Sequence, residues 1–185
     1  EARRLARDAR AMTQALGDRE GIGFGLLAQG ASLEYLGEFA EAYSAGEESL
    51  QVFEDLGRRG WIILAEAAVS SVSLHLGRYE DARAHGEASQ ALAEETGLQL
   101  RVGDALVLLG RVAVVKEAYD EAQRRLQQAL AVYRDVGALA DVGWSHAALA
   151  HAARGLAEPA QMRRHLREAL RAAKQTGDLL LGLSV

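Results

Sequence analysis

Leu76-Gly77-Arg78-Tyr79-Glu80-Asp81-Ala82 decides the fold, because it comes back every forty residues. Forty earlier stands Leu36-Gly37-Glu38-Phe39-Ala40-Glu41-Ala42. Forty later stands Lys116-Glu117-Ala118-Tyr119-Asp120-Glu121-Ala122, and forty later again Leu156-Ala157-Glu158-Pro159-Ala160-Gln161-Met162. A second ladder keeps the same step: Gly17, Gly57, Gly97, Gly137 and Gly177. Neither ladder is interrupted by an insertion or a deletion. A fixed period of this length is the mark of a repeat array, in which each unit buries its apolar face against the next.

Working outward, each period divides into two helices. The first is expected at roughly 19–36, 59–76, 99–116 and 139–155, and the second at roughly 39–56, 79–96, 119–136 and 158–176. The turn between them is short, which makes the partners antiparallel neighbours. The ladder glycines stand where a left-handed residue ends each helix. Pro159, the only proline, falls in a first turn, where its missing N–H costs nothing. An earlier helix over 1–16 carries an apolar stripe of Leu5, Ala9, Met12 and Leu16, with Arg3, Arg7 and Arg10 on another face.

The columns of the repeat describe packing. Gly30, Ser70, Gly110 and Ala150 keep one column small, as do Gly25, Ala65, Ala105 and Ser145. Ala42, Ala82 and Ala122 form a third, with Met162 as its exception, and Ser49, Ser89, Ala129 and Ala169 a fourth. Larger columns are Ile22, Ile62, Val102 and Val142, and Leu50, Leu130 and Leu170 with Gln90 as a misfit. Small beside large is what closely crossing helices need. The helix at 19–36 is the least secure. Each of its four glycines, 21, 23, 25 and 30, costs about 1 kcal/mol relative to alanine, so its first half frays unless neighbours clamp it.

Composition sets outer limits. The chain has 185 residues, 49% of them hydrophobic and 25% charged, with a net charge of -5. That charge argues against direct nucleic-acid contact. Absence of cysteine excludes disulfides, zinc–thiolate sites and thiol catalysis, and a cytoplasmic setting fits. No apolar run is long enough to cross a membrane, so no membrane partner is expected. Arginine far outnumbers lysine, which points to a GC-rich bacterial source. The chain opens inside a helical pattern without methionine and stops at Leu179-Leu180-Leu181, where another helix is expected to begin. A piece of a longer protein is the expectation.

Chemical motifs are nearly absent. Gly23-Phe24-Gly25-Leu26-Leu27-Ala28 has dinucleotide-site spacing but no strand before it. Gly143-Trp144-Ser145-His146-Ala147 brushes the nucleophile elbow, yet falls inside a predicted helix. Of five histidines, His146 and His151 are five apart, which is roughly 140° round a helix and the wrong spacing for a metal pair. No catalytic residue, metal or cofactor is therefore assigned, and the chain is not expected to be an enzyme. Arg163, Arg167, Arg171 and Lys174 make a basic stripe that reads as a solvated outer face.

Gly30…Gly37-x-Phe39-x-x-Ala42 and Ser70…Gly77-x-Tyr79-x-x-Ala82 resemble the tetratricopeptide repeat. Gly110…Glu117-x-Tyr119-x-x-Ala122 loses the turn glycine, and Ala150…Ala157-x-Pro159-x-x-Met162 keeps only the sizes. The usual repeat has about 34 residues, so each helix here is longer by roughly one turn. Helix ends such as Thr96-Gly97 and Leu56-Gly57 resemble the helical-repeat regions of bacterial signalling ATPases, among them the MalT-like, LuxR-type transcription regulators.

The resemblance implies an all-α, right-handed α-solenoid of about four antiparallel helical hairpins, a single domain with repeats at 18–57, 58–97, 98–137 and 138–177. Residues 1–17 end a preceding repeat and 178–185 begin another helix. It also implies a concave groove lined by the first helix of each hairpin, binding a protein or peptide. Carried over by position, the groove takes Phe24, Leu27, Glu34 and Tyr35, then Leu74 and His75, then Asp104, Val107 and Arg111, then Trp144, His151 and Arg154. Leu64, Val107 and Val114 fit inter-repeat core equally well. The expected role is the sensor or interaction segment of a transcription regulator. The alternatives are a stand-alone adaptor, a signalling-peptide receptor, or a self-association module that packs through Leu179 to Leu181.

Overall fold

The computed structural model describes residues 18–177. The helix expected at 1–16, the arginines on it, Gly17 and the segment 178–185 lie outside the described residues. The described chain holds eight helices in four antiparallel hairpins: α1 (Arg19–Tyr35), α2 (Phe39–Asp55), α3 (Arg59–His75), α4 (Tyr79–Thr96), α5 (Gln99–Val115), α6 (Tyr119–Val136), α7 (Leu139–Gly155) and α8 (Pro159–Thr176). Every boundary falls within about a residue of its sequence expectation. Two compact units result, one ending at Thr96 and one beginning at Gly97.

In the first unit α1 pairs with α2 and α3 with α4; α3 also packs on α2 and touches α1. The second unit repeats this with α5 to α8, so α5 and α7 are also neighbours. The first helices of successive hairpins thus lie side by side within each unit. Among the described residues no helix is long and apolar enough to cross a membrane.

Turn chemistry explains the period. After α1, Gly37 takes φ +77°, its N–H reaching the Glu34 carbonyl at 3.0 Å and the Glu38 N–H reaching Leu33 at 2.9 Å. Gly77 repeats this, and Gly57, Gly97, Gly137 and Gly177 all have positive φ at the other helix ends. Glu117 and Ala157 occupy the same conformation without being glycine, at φ 58° and 56°.

The small columns are small because helices touch there. A Cβ on Gly110 would meet Leu126 at 2.7 Å; outside those columns, one on Gly46 would meet Val69 at 3.0 Å. Buried serines tie neighbouring helices through carbonyls: Ser49 donates to Gly23 at 2.9 Å, Ser89 to Ile63 at 3.0 Å and Ser70 to Ala82 at 2.7 Å. Helix α1 is clamped rather than frayed. Asp18 accepts the Gly21 N–H at its start, and the Phe53 ring lies against Gly23. Of the leucine column, Leu50 and Leu130 are buried, whereas Leu170 on the last described helix is exposed.

Candidate functional site

In the first unit the predicted groove residues separate into two groups. Phe24 and Leu27 pack against the buried cluster of Leu50, Phe53 and Ala65. Phe24 meets Trp61 edge-on at 4.4 Å and Phe53 at 5.4 Å, leaving one side of this aromatic group at the surface through Trp61. At the far end of the same helices Ser71 donates to Glu34 at 2.7 Å, and His75 stands 3.5 Å from the same carboxylate oxygen. Phe39 stacks on the His75 ring at 4.7 Å. Tyr35 is 83% exposed. Leu74 is buried, on the face of α3 that also carries the buried Ile63 and Ser70 and away from Val69 and Val72.

The second unit brings three predicted residues into one cavity. Asp104, Val107 and Trp144 line a space of about 270 Å³ together with Leu108, Tyr133 and Asp141. Tyr133 crosses from α6 and donates its hydroxyl proton to Asp104 at 2.7 Å. Arg101 holds the other Asp104 oxygen at 2.8 Å. Burial, then the Asp104 hydrogen bond and charge, push the Tyr133 hydroxyl far above its ordinary value, so it stays a donor. Burial and the Asp104 charge raise the Asp141 carboxyl. Asp141 forms no ion pair among the described residues.

Arg111 is half-buried on α5, while His151 and Arg154 lie toward the C-terminal end of α7. Desolvation and the Arg154 guanidinium hold the His151 imidazole below the usual histidine value.

Tyr133, Asp141, Arg101 and Leu108 were not singled out by the repeat columns. A signal for Tyr133 does exist at a thirty-residue offset. Gly23 precedes Phe53 and Gly103 precedes Tyr133, whereas Ile63 precedes Ala93, and in the fourth copy Gly143 precedes Ala173 without a ring. A ring occupies the space that Gly23 and Gly103 each leave open.

The other motifs resolve into packing or surface. Gly23 to Ala28 lies within α1, and Gly143 to Ala147 within α7. Arg163, Arg167, Arg171 and Lys174 are exposed along α8, with Arg171 paired to Glu168. The histidine contact that does form is between His146 and His165, whose Nδ1 atoms are 2.9 Å apart. Among the described residues no third metal-ligating side chain joins them.

The tetratricopeptide repeat family matches residues 61–135. No curated protein matches the chain. Solved structures of similar fold include three that follow. Aspartyl phosphate phosphatase F from Bacillus subtilis gives a TM-score of 0.84 at 14% identity, over 96% of this chain and 47% of that one. A Rap protein complexed with Competence and Sporulation Factor gives 0.87 at 11% identity, over 95% and 49%. The MamA protein gives 0.59 at 13% identity, over 97% and 96%. This chain spans about half the length of the first two. At such identities the likeness is one of fold. The chain has a tetratricopeptide-like helical-repeat fold, similar to those of the Rap and MamA proteins.

Proposed function

We propose that the chain is a protein- or peptide-binding scaffold, of the kind that serves as a signalling-peptide receptor or adaptor. The observation that carries this reading is the cavity on the first-helix side of the second unit, where Asp104, Val107 and Trp144 meet. A concave site with apolar walls and a few converging polar groups is the ordinary form of a recognition site. The pair of Glu34 and Ser71 beside His75 offers a second polar anchor in the first unit. Similarity in fold to a Rap protein solved with Competence and Sporulation Factor supports the receptor form. A sensor segment of a LuxR-type bacterial transcription regulator rests on the forty-residue period and the glycine helix ends alone, so the receptor or adaptor form is preferred.

The test is selection of peptides from a random display library against the full chain, followed by fluorescence-anisotropy titration. Peptides of defined sequence should be enriched. Arg111→Glu should weaken their binding by at least roughly tenfold while the circular dichroism spectrum is kept, since arginine anchors dominate many interfaces. Enrichment of no peptide would sink the function. Unchanged affinity in Arg111→Glu would remove that residue from the groove.

A further inference from the structure

Among the described residues, the cavity of the second unit sets two carboxylates against one paired guanidinium, whose charge also reaches Asp141. Two carboxylates, Asp104 and Asp141, face it, and Arg101 is the cation paired there. Asp104 is fully engaged: one oxygen takes the Arg101 guanidinium and the other takes the Tyr133 hydroxyl. Asp141 has neither partner. A half-buried carboxylate beside a second one, without a cation of its own, is an unfavourable arrangement that an incoming positive charge relieves.

We propose that this cavity seats the side chain of a lysine or arginine belonging to the bound peptide, an inference that rests on the peptide-binding reading above. Its positive head would pair with Asp141 and its methylene stem would lie along Val107 and Leu108. Long basic side chains bury their stems in this way while the head finds a polar partner. Trp144, 38% exposed at the cavity wall, presents an indole to the same cation. Size agrees: at about 270 Å³ the space falls below the roughly 300–1,000 Å³ of sites that enclose a whole drug-sized ligand. An acidic side chain would meet two carboxylates, and an apolar one would bury Asp141 without relief.

The selected peptides supply the test. They are synthesised with both ends blocked, so that only side chains carry charge, and titrated against the full chain. Enrichment of lysine or arginine at one position is expected. Replacing that residue by norleucine should weaken binding by at least roughly tenfold, and Asp141→Asn should do the same to the parent peptide. Norleucine and parent peptides should then bind Asp141→Asn alike, because the pair is already broken. Trp144→Leu provides an independent arm, with loss expected for the basic peptide and not for the norleucine one. Peptides that bind without a basic residue, or a norleucine penalty that persists undiminished in both variants, would overturn this proposal and leave the peptide-binding reading standing. Enrichment of no peptide at all would overturn both.

Discussion

The Tyr133 ring fills the space beside Gly103: a Cβ on that glycine would stand 2.6 Å from the ring. The ring cannot retreat, since Tyr133 is 3% exposed and its hydroxyl is held by Asp104. Gly103→Ala is therefore expected to cost about 1–3 kcal/mol, the usual penalty of overpacking a filled core. It should also loosen the cavity wall that Tyr133 forms. Gly60 is the control, an exposed helical glycine with nothing within 4 Å of its Cβ position. Gly60→Ala should stabilise by up to about 1 kcal/mol. Urea denaturation of both variants measures this. Equal shifts in the same direction would show that the ring does not depend on the glycine.

At the hairpin turns the sign of the same exchange reverses. Ala157 and Glu117 hold the left-handed conformation that Gly37 and Gly77 hold in the first two copies. An L-residue there costs roughly 1–2 kcal/mol. Glycine removes that cost but has roughly 0.5–1 kcal/mol more freedom to lose on folding. A net gain of about 0.5–1 kcal/mol is expected for Ala157→Gly and for Glu117→Gly. Thermal melts would show a small rise in midpoint for each, and Gly77→Ala should lower it. A fall in midpoint for Ala157→Gly would mean that the turn is not strained.

How much of this was legible in the sequence follows from its period. The helices and their ends repeat in phase, so Gly57, Gly97 and Gly137 could be read as caps from their spacing alone. Asp104, Val107 and Trp144 were reachable because a groove position carries over from copy to copy. Leu74 was placed in the groove by the same carry-over, but side-chain direction along α3 turns it into the core. Tyr133 and Asp141 escaped because the cavity joins three helices, and a column runs along only one position of the repeat. The thirty-residue pairing of Gly23 with Phe53 and Gly103 with Tyr133 carried part of the missing information about Tyr133, although Gly143 is followed at that offset by Ala173. The contact of His146 with His165 is marked in the same way, since it repeats eighty residues on the nineteen-residue pairing of Glu66 with His85.

In the first unit His85 on α4 sits between Glu66 on α3, at 2.6 Å, and Glu47 on α2, at 3.8 Å. The Glu66 hydrogen bond raises its pKa above 6.5; burial opposes this, and the Glu66, Glu47 and Asp81 charges add to it. A raised histidine pKa contributes stability that is complete below the unfolded value of about 6.5 and is lost as pH rises through the folded value. Hydrogen exchange in α2 to α4 should accordingly speed up as pH rises through that range, after correction for intrinsic rates. Glu66→Gln should abolish the dependence and bring the His85 proton resonance toward an ordinary titration. An unshifted His85 titration in the parent protein would remove the lock.

The second unit should respond to pH in the opposite sense. His146 is 5% exposed, and one imidazole donates its Nδ1 proton to the other across the 2.9 Å contact with His165. Arg134 approaches the Nε2 atom of His146 at 3.5 Å, which fits a proton on its Nδ1. Burial first, then the charges of His165 and Arg134, lower the His146 pKa to about 4, with Glu168 opposing and Arg164 assisting. His165 is lowered by burial and by Arg164, against Glu168. A lowered histidine pKa gives stability that is complete above the unfolded value of about 6.5 and is lost as pH falls through the folded value. Exchange in α6 to α8 should therefore accelerate between pH 6.5 and about 4. His146→Gln, which keeps hydrogen bonding but cannot take up the proton, should flatten that limb. Identical pH responses in both units would show that neither histidine site governs its own unit, because the two limbs have opposite signs.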